Sequence, residues 1–390
     1  MIYLDHAATT PLDKRVLEAM KPYLTEHFGN ASSVHQMGRR ARVAVEDSRE
    51  RVAELLGAET SEIVFTSGGT ESNNAALKGA LTDDRPHLIT SAAEHDAVLR
   101  PAERMQSSDR PVTILNPGSH GAAQPDQVQE ALTDETGLVS LMHVNNELGA
   151  VTNIPAIAEL CREAGARLHC DAVQSAGLYD LDVKALGVDL LSISAHKFYG
   201  PKGVGLLYVR GGVDVLPLVE GGSQERDRRG GTENVPAIVG ATEALRLAVE
   251  EAASRRERIT RLRDRLLRQL RAELGAEAFV VNTPLGASDV DAAPHVLNIA
   301  LRPQDGAPLD GEMLLLNLDT EGICTSAGSA CTSGALEPSH VLQAIGLDDD
   351  VAAGALRFSL GKENTDEEMD ETARTLAEVV ERVSQFASVE

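Results

Sequence analysis

The sequence predicts an α/β protein, with a large domain built on a mostly parallel sheet and a smaller α+β domain. The main observation is that short apolar runs alternate with helical stretches between about residues 60 and 210. Such alternation is typical of a parallel sheet covered by helices. Seven strands are expected here: Glu62–Phe65, His87–Thr90, Val112–Leu115, Leu138–Val144, Arg167–Cys170, Leu190–Ser194 and Val204–Val209.

A change of pattern then predicts one long helix over Pro236–Leu274, because its apolar residues recur every three or four positions. Its other face is rich in arginine, and one interpretation of this face is nucleic-acid binding. The flanking glutamates favour a second interpretation, in which the face is exposed to solvent on a helix that bridges two domains. Three further elements are expected: strands near His295–Ala300 and Leu356–Ser359 and a helix over Thr365–Phe386. We place the domain boundary inside the long helix, with the large domain at 16–258 and the small domain at 1–15 and 259–390.

The composition excludes several classes of protein. With 36 basic and 60 acidic residues the net charge is −24 and the pI about 4.8, which excludes a broadly basic nucleic-acid-binding protein. The chain has no run of about 18 apolar residues, and its start, MIYLDHAATTP, lacks a secretory signal pattern. We therefore expect a cytoplasmic protein without membrane contact. Its acidic, lysine-poor composition suits a salt-rich cytoplasm, where screening weakens self-repulsion.

The four cysteines predict a lone reactive thiol, because none forms a C-x-x-C pair and four in so long a chain are no disulfide scaffold. Cys331 lies in CTSAGSACTSG, whose small residues predict an exposed loop. A thiolate on such a loop could travel between two sites. Cys161, Cys170 and Cys324 have apolar neighbours in the sequence, and we expect them to pack as small hydrophobic residues.

Several polar residues follow predicted strands, and each has a functional and a structural interpretation. Ser67-Gly68-Gly69 precedes a helix beginning near Thr70, which fits either a phosphate site or an ordinary strand-to-helix turn. Asp171 is suited either to orienting a cationic group or to capping the next helix.

The same alternatives apply to three other strand ends. Lys197, beside Ser194 and His196, is either an amine nucleophile or a surface lysine, or else a phosphate counter-ion. His95 follows one strand, and Asn145 and Asn146 follow another. Each of these alone favours a structural role, but their occurrence at successive strand ends favours a site.

Taken together, the motifs resemble the cysteine desulfurases of the NifS/IscS-like branch. The matching segments are YLDHAATTP, FGNASSVH, FTSGGTESNN, EHDAV, HVNNELG, HCDAVQS, SISAHKFYGPKG, RRGGTENVPAIVG, GSACTSGALEPSHVL and RFSLG. These enzymes are class-V aminotransferases of the fold-type-I pyridoxal 5′-phosphate (PLP) class. The resemblance implies this fold and a homodimer that converts L-cysteine to L-alanine and leaves the sulfur on an active-site cysteine as a persulfide.

The resemblance also implies roles for individual residues. Lys197 matches the lysine that binds PLP covalently, Asp171 the partner of the pyridine nitrogen, and His95 the imidazole that stacks on the ring and moves protons. Gln174 matches the residue at the phenolic oxygen, and Asn146 lies beside cofactor and substrate. The phosphate residues are matched by Gly69, Thr70, Ser194 and His196, and by Thr232 from the other subunit. Arg357 matches the residue that holds the substrate carboxylate, and Cys331 the sulfur acceptor.

The implied partners are L-cysteine, a second copy of the chain and a sulfur acceptor such as an iron–sulfur scaffold protein. Sulfur would then serve cluster assembly or tRNA thiolation, and Cys331 would be the residue to contact a cluster transiently; no resident metal is implied. Two alternatives stay open. One is another fold-type-I PLP enzyme, such as a selenocysteine lyase or an aminotransferase. The other is a sulfur-transfer partner without catalysis.

Overall fold

The computed structural model describes residues 1–108, 110–303, 308–327 and 339–387. Its strands are β1 (Ile2–Tyr3), β2 (Ile63–Thr66), β3 (His87–Ser91), β4 (Val112–Leu115), β5 (Thr136–Met142), β6 (Ala150–Val151), β7 (Arg167–Asp171), β8 (Leu190–Ser194), β9 (Gly205–Val209), β10 (Phe279–Val281), β11 (Asp291–Ala292), β12 (Val296–Leu301), β13 (Ile323–Cys324) and β14 (Ala355–Ser359). Its α-helices are α1 (Lys14–Thr25), α2 (Gln36–Leu56), α3 (Gly69–Ala80), α4 (Asp96–Gln106), α5 (Pro125–Ala131), α6 (Ile154–Ala164), α7 (Val183–Leu186), α8 (Val235–Leu274), α9 (Gly311–Thr320), α10 (His340–Ala344), α11 (Asp349–Ala352) and α12 (Asp366–Ala387).

A seven-stranded sheet forms the centre of the fold, in the order β2-β9-β8-β7-β5-β3-β4. The strands from β8 to β4 pair in parallel, whereas β9 runs antiparallel to both of its neighbours. The α/β class and the mostly parallel seven-stranded sheet predicted from the sequence are therefore confirmed. Short apolar strands buried on both faces explain why the sequence shows continuous apolar runs rather than alternation.

One predicted strand is displaced by two residues. The sequence predicts Leu138–Val144, but β5 is Thr136–Met142. The reason is that the chain after Met142 turns back on itself: Val144 bridges Val151, and the backbone N–H of Thr152 donates to the carbonyl of His143. His143 and Val144 therefore leave the large sheet at the edge where the predicted site lies.

The long helix α8 runs over 40 residues, close to the predicted range. It begins where the Asn234 side chain accepts a hydrogen bond from the backbone N–H of Ala237, with Pro236 in the first turn. It ends before Gly275, whose φ of 89° few other residues adopt. These signals are local, so the sequence alone predicts both ends well.

Two separate apolar clusters meet on α8. The first, around the large sheet, includes Val235–Ala248 of the helix, and the second, around β12 and β14, includes Ile259–Leu270. Leu4, from the start of the chain, packs in the second cluster. This distribution supports a boundary between Ala248 and Ile259, and we propose the two domains with the ranges given above. None of the described helices combines the length and the apolar character that a membrane span requires.

Candidate active site

Four neighbouring parallel strands end at one edge of the sheet, and a predicted site residue lies at or just after each end. Lys197 follows β8, Asp171 ends β7, Asn146 follows β5 and His95 follows β3. Since ligands of open α/β sheets bind at the carboxyl ends of the strands, this edge is the candidate active site.

Lys197 lies in a short 3₁₀ turn directly after β8. Its Nζ donates hydrogen bonds to the carbonyl oxygens of Ala7 at 2.5 Å and Ala8 at 3.0 Å. Burial and the positive charge of Arg357 lower the pKa of the Lys197 amine to about 8. An amine with this pKa is partly deprotonated near neutral pH, as a nucleophilic lysine requires. This environment argues against an ordinary surface lysine.

Asp171 is buried at the end of β7, and both of its carboxylate oxygens accept hydrogen bonds. Oδ1 accepts from the backbone N–H of Val173 at 3.0 Å, and Oδ2 accepts from Nδ2 of Asn73 at 2.6 Å. No α-helix begins at the residues that follow, so the capping interpretation does not apply. The carboxylate is instead fixed by a residue of α3, which packs against the same edge.

Gly68 and Gly69 form the turn between β2 and α3, and both approach neighbouring residues closely. A Cβ at Gly69 would lie 2.7 Å from Cγ2 of Val173. Gly68 packs against Gly205 of β9, where a Cβ would lie 2.7 Å from Cα of Gly68. The first backbone N–H groups of α3, those of Gly69 and Thr70 among them, have no acceptor within the helix. The hydroxyl of Ser194 lies beside this turn, 3.6 Å from the place that a Cβ of Gly68 would take. Free donors at a helix N-terminus are suited to binding an anion.

His196 joins the N-terminal segment to the same edge. Its Nδ1 lies 3.1 Å from Oγ1 of Thr9, and its carbonyl accepts from Oγ1 of Thr10 at 2.8 Å. Burial, followed by the charge of Lys197, lowers the pKa of His196 to about 4, so the ring is neutral at pH 7.

Gln174 and His95 follow β7 and β3 at the same edge of the sheet. Nε2 of Gln174 donates to the carbonyl of Ala7 at 2.9 Å, the same oxygen that Lys197 contacts. Nδ1 of His95 accepts from the backbone N–H of Ala97 at 3.0 Å and thereby caps α4. Since this nitrogen accepts, the proton of the neutral ring is on Nε2. The ring itself is exposed.

Arg357, in β14, is buried and held by three residues from different parts of the chain. Its Nη2 donates to Oδ1 of Asp5 at 2.8 Å and to Oγ of Ser326 at 3.3 Å, while Nη1 donates to the carbonyl of Asn146 at 2.9 Å. Its Nε has no partner among the described residues. The structure thus places Arg357 beside Asn146, although 211 positions separate them.

Comparison with known proteins identifies the family. The aminotransferase class-V family matches residues 2–372. The cysteine desulfurase IscS of Dictyoglomus turgidum is 46% identical over 98% of this chain and 95% of its own length. The chain is a class-V aminotransferase of the cysteine desulfurase family. Among solved structures, a NifS-like protein superposes with a TM-score of 0.89 at 36% identity, covering 98% of this chain and 99% of its own.

A second solved structure, SspA in complex with cysteine, superposes with a TM-score of 0.80 at 37% identity and covers 94% of this chain and all of its own. These likenesses confirm the predicted fold-type-I architecture. The class-V aminotransferases and the cysteine desulfurases are PLP-dependent families.

Thr232, which the desulfurase resemblance singles out, is exposed and makes no side-chain hydrogen bond to another described residue. Arg229, three residues earlier, pairs with Glu71 of α3 at 2.9 Å. Cys331 belongs to the residues 328–338, which lie outside the described part of the chain.

The other cysteines differ from one another. Burial raises the pKa of the Cys161 thiol to about 12 and that of Cys170 well above its ordinary value, so neither ionises near neutral pH. Cys324 is half-buried, although its apolar neighbours in the sequence predict a buried side chain. It lies in β13, which pairs with β1 in a sheet of two strands.

Sequence reasoning missed several residues of this desulfurase-family site. Asp5 and the carbonyl of Ala7 come from the N-terminal segment, and Asn73 is the fifth residue of α3. Glu147 is buried and accepts from Oγ of Ser339 at 2.5 Å, and burial raises its pKa. All four residues lie within the motifs YLDHAATTP, FTSGGTESNN and HVNNELG. The spacing of these motifs does not predict which of their side chains are in contact.

Proposed function

We propose that this protein is a PLP-dependent cysteine desulfurase, which converts L-cysteine to L-alanine and transfers the sulfur to Cys331. The observation that supports this most is the convergence of the Lys197 amine, the Asp171 carboxylate and the Arg357 guanidinium at one edge of the sheet. An amine nucleophile, an acid partner and a carboxylate-binding group are what an amino-acid reaction on PLP needs.

The residues present fit PLP. Gly69 lets the start of α3 pack against Val173, because a Cβ would lie only 2.7 Å from Cγ2 of that residue. The free N–H groups of α3 and the Ser194 hydroxyl would hold the phosphate of PLP. Lys197 would bind it covalently, Asp171 would keep its pyridine nitrogen protonated, and Gln174 would contact its phenolic oxygen. When bound, PLP withdraws electrons and stabilises negative charge that develops on the substrate.

The protein's own groups then perform the remaining work. Arg357 holds the substrate carboxylate through its planar guanidinium, and Asn146 lies beside it. The Lys197 amine, whose pKa is lowered to about 8, and the Nε2–H of His95, which no bond to α4 occupies, move protons. The Cys331 thiolate takes the substrate's sulfur: the C–S bond breaks, an S–S bond forms, and the carbon gains a proton in place of the sulfur. L-Alanine and a persulfide on Cys331 are the balanced products.

The direct test is mass spectrometry of the purified protein after brief exposure to L-cysteine. We expect the peptide that contains Cys331 to gain the mass of one sulfur atom, and alanine to appear in equal amount. Cys331→Ala keeps the visible cofactor absorbance but loses sulfide release, whereas Lys197→Ala loses the absorbance. Sulfide release from Cys331→Ala would favour another fold-type-I PLP enzyme. No visible band after addition of PLP would favour a sulfur-transfer partner without catalysis.

We propose further that the active form is a homodimer in which Thr232 contacts the cofactor phosphate of the partner subunit. Large apolar side chains stay exposed on the single chain, among them Phe28 at 74%, Val34 at 88% and Leu216 at 71%. A subunit interface that covers these side chains would remove their apolar surface from water. The sulfur acceptor we propose is a scaffold protein for iron–sulfur clusters or a component of tRNA thiolation.

A further inference from the structure

His295 lies within hydrogen-bond distance of Gln174, the residue assigned above to the phenolic oxygen of PLP. Nε2 of His295 is 3.4 Å from Oε1 of Gln174. His295 is only 5% exposed, and its Nδ1 has no partner among the described residues. Both side chains line the same cavity as Lys197, with a volume of about 30 Å³. The contact therefore lies inside the candidate active site.

Two hydrogen bonds fix the direction of the Gln174 amide. Its Nε2 donates to the carbonyl oxygen of Ala7 at 2.9 Å. Since a carbonyl only accepts, the nitrogen of the amide faces Ala7 and the oxygen faces His295. The amide oxygen also only accepts, so the His295 ring donates and carries its proton on Nε2. Among the described residues the amide bonds to no further acceptor, and its second N–H is left for a ligand.

His295 supplies this hydrogen bond without adding charge. Burial lowers the pKa of His295 to about 3, and the cations Arg357, Arg263 and Lys197 act in the same direction. The ring is therefore neutral at pH 7. A neutral donor holds the amide oxygen and places no further positive charge beside the Lys197 amine.

The small domain holds His295 in place, whereas Gln174 follows β7 of the large domain. His295 directly precedes β12, and its carbonyl accepts from the backbone N–H of Leu360 at 2.8 Å. Strand β12 pairs with β14, where Asn298 lies opposite Arg357. The strand pair that carries the proposed carboxylate-binding residue therefore also fixes the histidine against Gln174.

We propose that His295 is a positioning residue, which holds the amide of Gln174 so that its second N–H donates to the phenolic oxygen of PLP. This inference rests on the proposed function, since it takes Gln174 as the residue at that oxygen. A donor at the phenolic oxygen stabilises negative charge there and disfavours the uptake of a proton by the bound cofactor. Without His295 the amide can rotate, and this hydrogen bond weakens.

The test measures the pH midpoint at which the visible absorbance of the PLP-loaded protein changes. His295→Met removes the donor at similar size, and we expect the midpoint to rise by about half a pH unit. His295→Gln keeps a donor and should restore most of the wild-type value. His143→Met is the matched control and should leave the midpoint unchanged. His143 is also buried, its Nδ1 has no partner among the described residues, and it makes no hydrogen bond to Gln174 there.

A double variant separates positioning from a direct effect on the cofactor. Gln174→Met alone should raise the midpoint by about one pH unit, the size of one hydrogen bond to a charged oxygen. Adding His295→Met should shift it no further, because the amide through which His295 acts is then gone. Additive shifts would overturn the proposal. So would an unchanged midpoint in His295→Met, or an equal rise in His295→Gln, which would point to packing.

Loading of the wild type with PLP is followed in the same experiment. A wild type without visible absorbance contradicts the proposed function, whereas a normal wild-type spectrum with an unshifted midpoint in His295→Met contradicts only the role of His295. Thermal unfolding checks that each variant is folded. His295→Leu, which also lacks a donor, replaces His295→Met if that variant does not fold.

Discussion

Nδ2 of Asn73, in α3, donates a hydrogen bond of 2.6 Å to Oδ2 of Asp171, at the end of β7. Both side chains are buried, and 98 positions separate them. The bond orients the carboxylate and leaves Oδ1 to the backbone N–H of Val173. Asn73 is therefore a positioning residue for the group that we propose to protonate the cofactor ring.

Asn73→Ala should weaken PLP binding by about tenfold or more, because a buried hydrogen bond to a charged group contributes about 1.5–3 kcal/mol. The dissociation constant is measured by titrating the apoprotein with PLP and following its absorbance. Asn74→Ala is the matched control, since Asn74 is the next residue of the same helix and, among the described residues, its side chain donates to the backbone carbonyls of Thr70 and Ala97. Equal losses in both variants would mean that α3 is merely destabilised.

Covalent attachment of PLP to Lys197 should depend on pH with a midpoint near 8. The folded protein lowers the pKa of this amine to about 8 from its ordinary 10.5, so the reactive neutral form increases as pH rises through 8. The rate of attachment to the apoprotein is measured between pH 6 and pH 10 by borohydride trapping and mass spectrometry. A midpoint near 10 would contradict the buried environment of Lys197.

Glu225→Gln should lower the free energy of unfolding by about 3 kcal/mol, because it breaks a buried ion pair and leaves Arg49 uncompensated. The two oxygens of Glu225 accept from Nη1 and Nη2 of Arg49 at 2.7 and 2.9 Å, and both side chains are 3% exposed. Urea denaturation measures the change. The control is Glu46→Gln, which removes the half-exposed second partner of Arg49 and should cost less than about 1 kcal/mol.

If Thr232 acts across the dimer, two inactive variants should restore each other. Lys197→Ala and Thr232→Ala are each expected to lose desulfurase activity as homodimers. Co-expressed with different tags, they form mixed dimers in which one site has both native residues, so purified mixed dimers should recover up to about half of the wild-type activity. If Thr232 instead acts within its own subunit, the mixed dimers stay inactive.

The acidic composition predicts that salt stabilises the protein. At a net charge of −24, exposed carboxylates repel one another, and raising the ionic strength from 0.1 M to 1 M shortens the screening length from about 10 Å to about 3 Å. We expect the thermal unfolding midpoint to rise with potassium chloride over this range. An uncharged osmolyte at equal osmolality is the control, and an unchanged midpoint in salt would contradict the expectation.

Much of this architecture follows from local sequence patterns. Apolar runs of four to seven residues mark the strands, and Asn234 with Pro236 marks the start of α8, because strand burial and helix capping depend on residues close in the chain. The same reasoning places Asp171 and Lys197 at strand ends. It misplaces β5 by two residues, since the pairing of Val144 with Val151 involves a return of the chain that periodicity does not reveal.

Local patterns predict the α/β class, the succession of apolar strands, and the positions of Asp171, Lys197 and His95 at or after strand ends. The contact of Asp5 with Arg357, 352 positions away, and the bonds from Lys197 to the carbonyls of Ala7 and Ala8 are visible only in the folded chain. Strand and helix signals arise from neighbouring residues, whereas contacts between distant segments form only when the packing of the two apolar clusters brings those segments to the same edge.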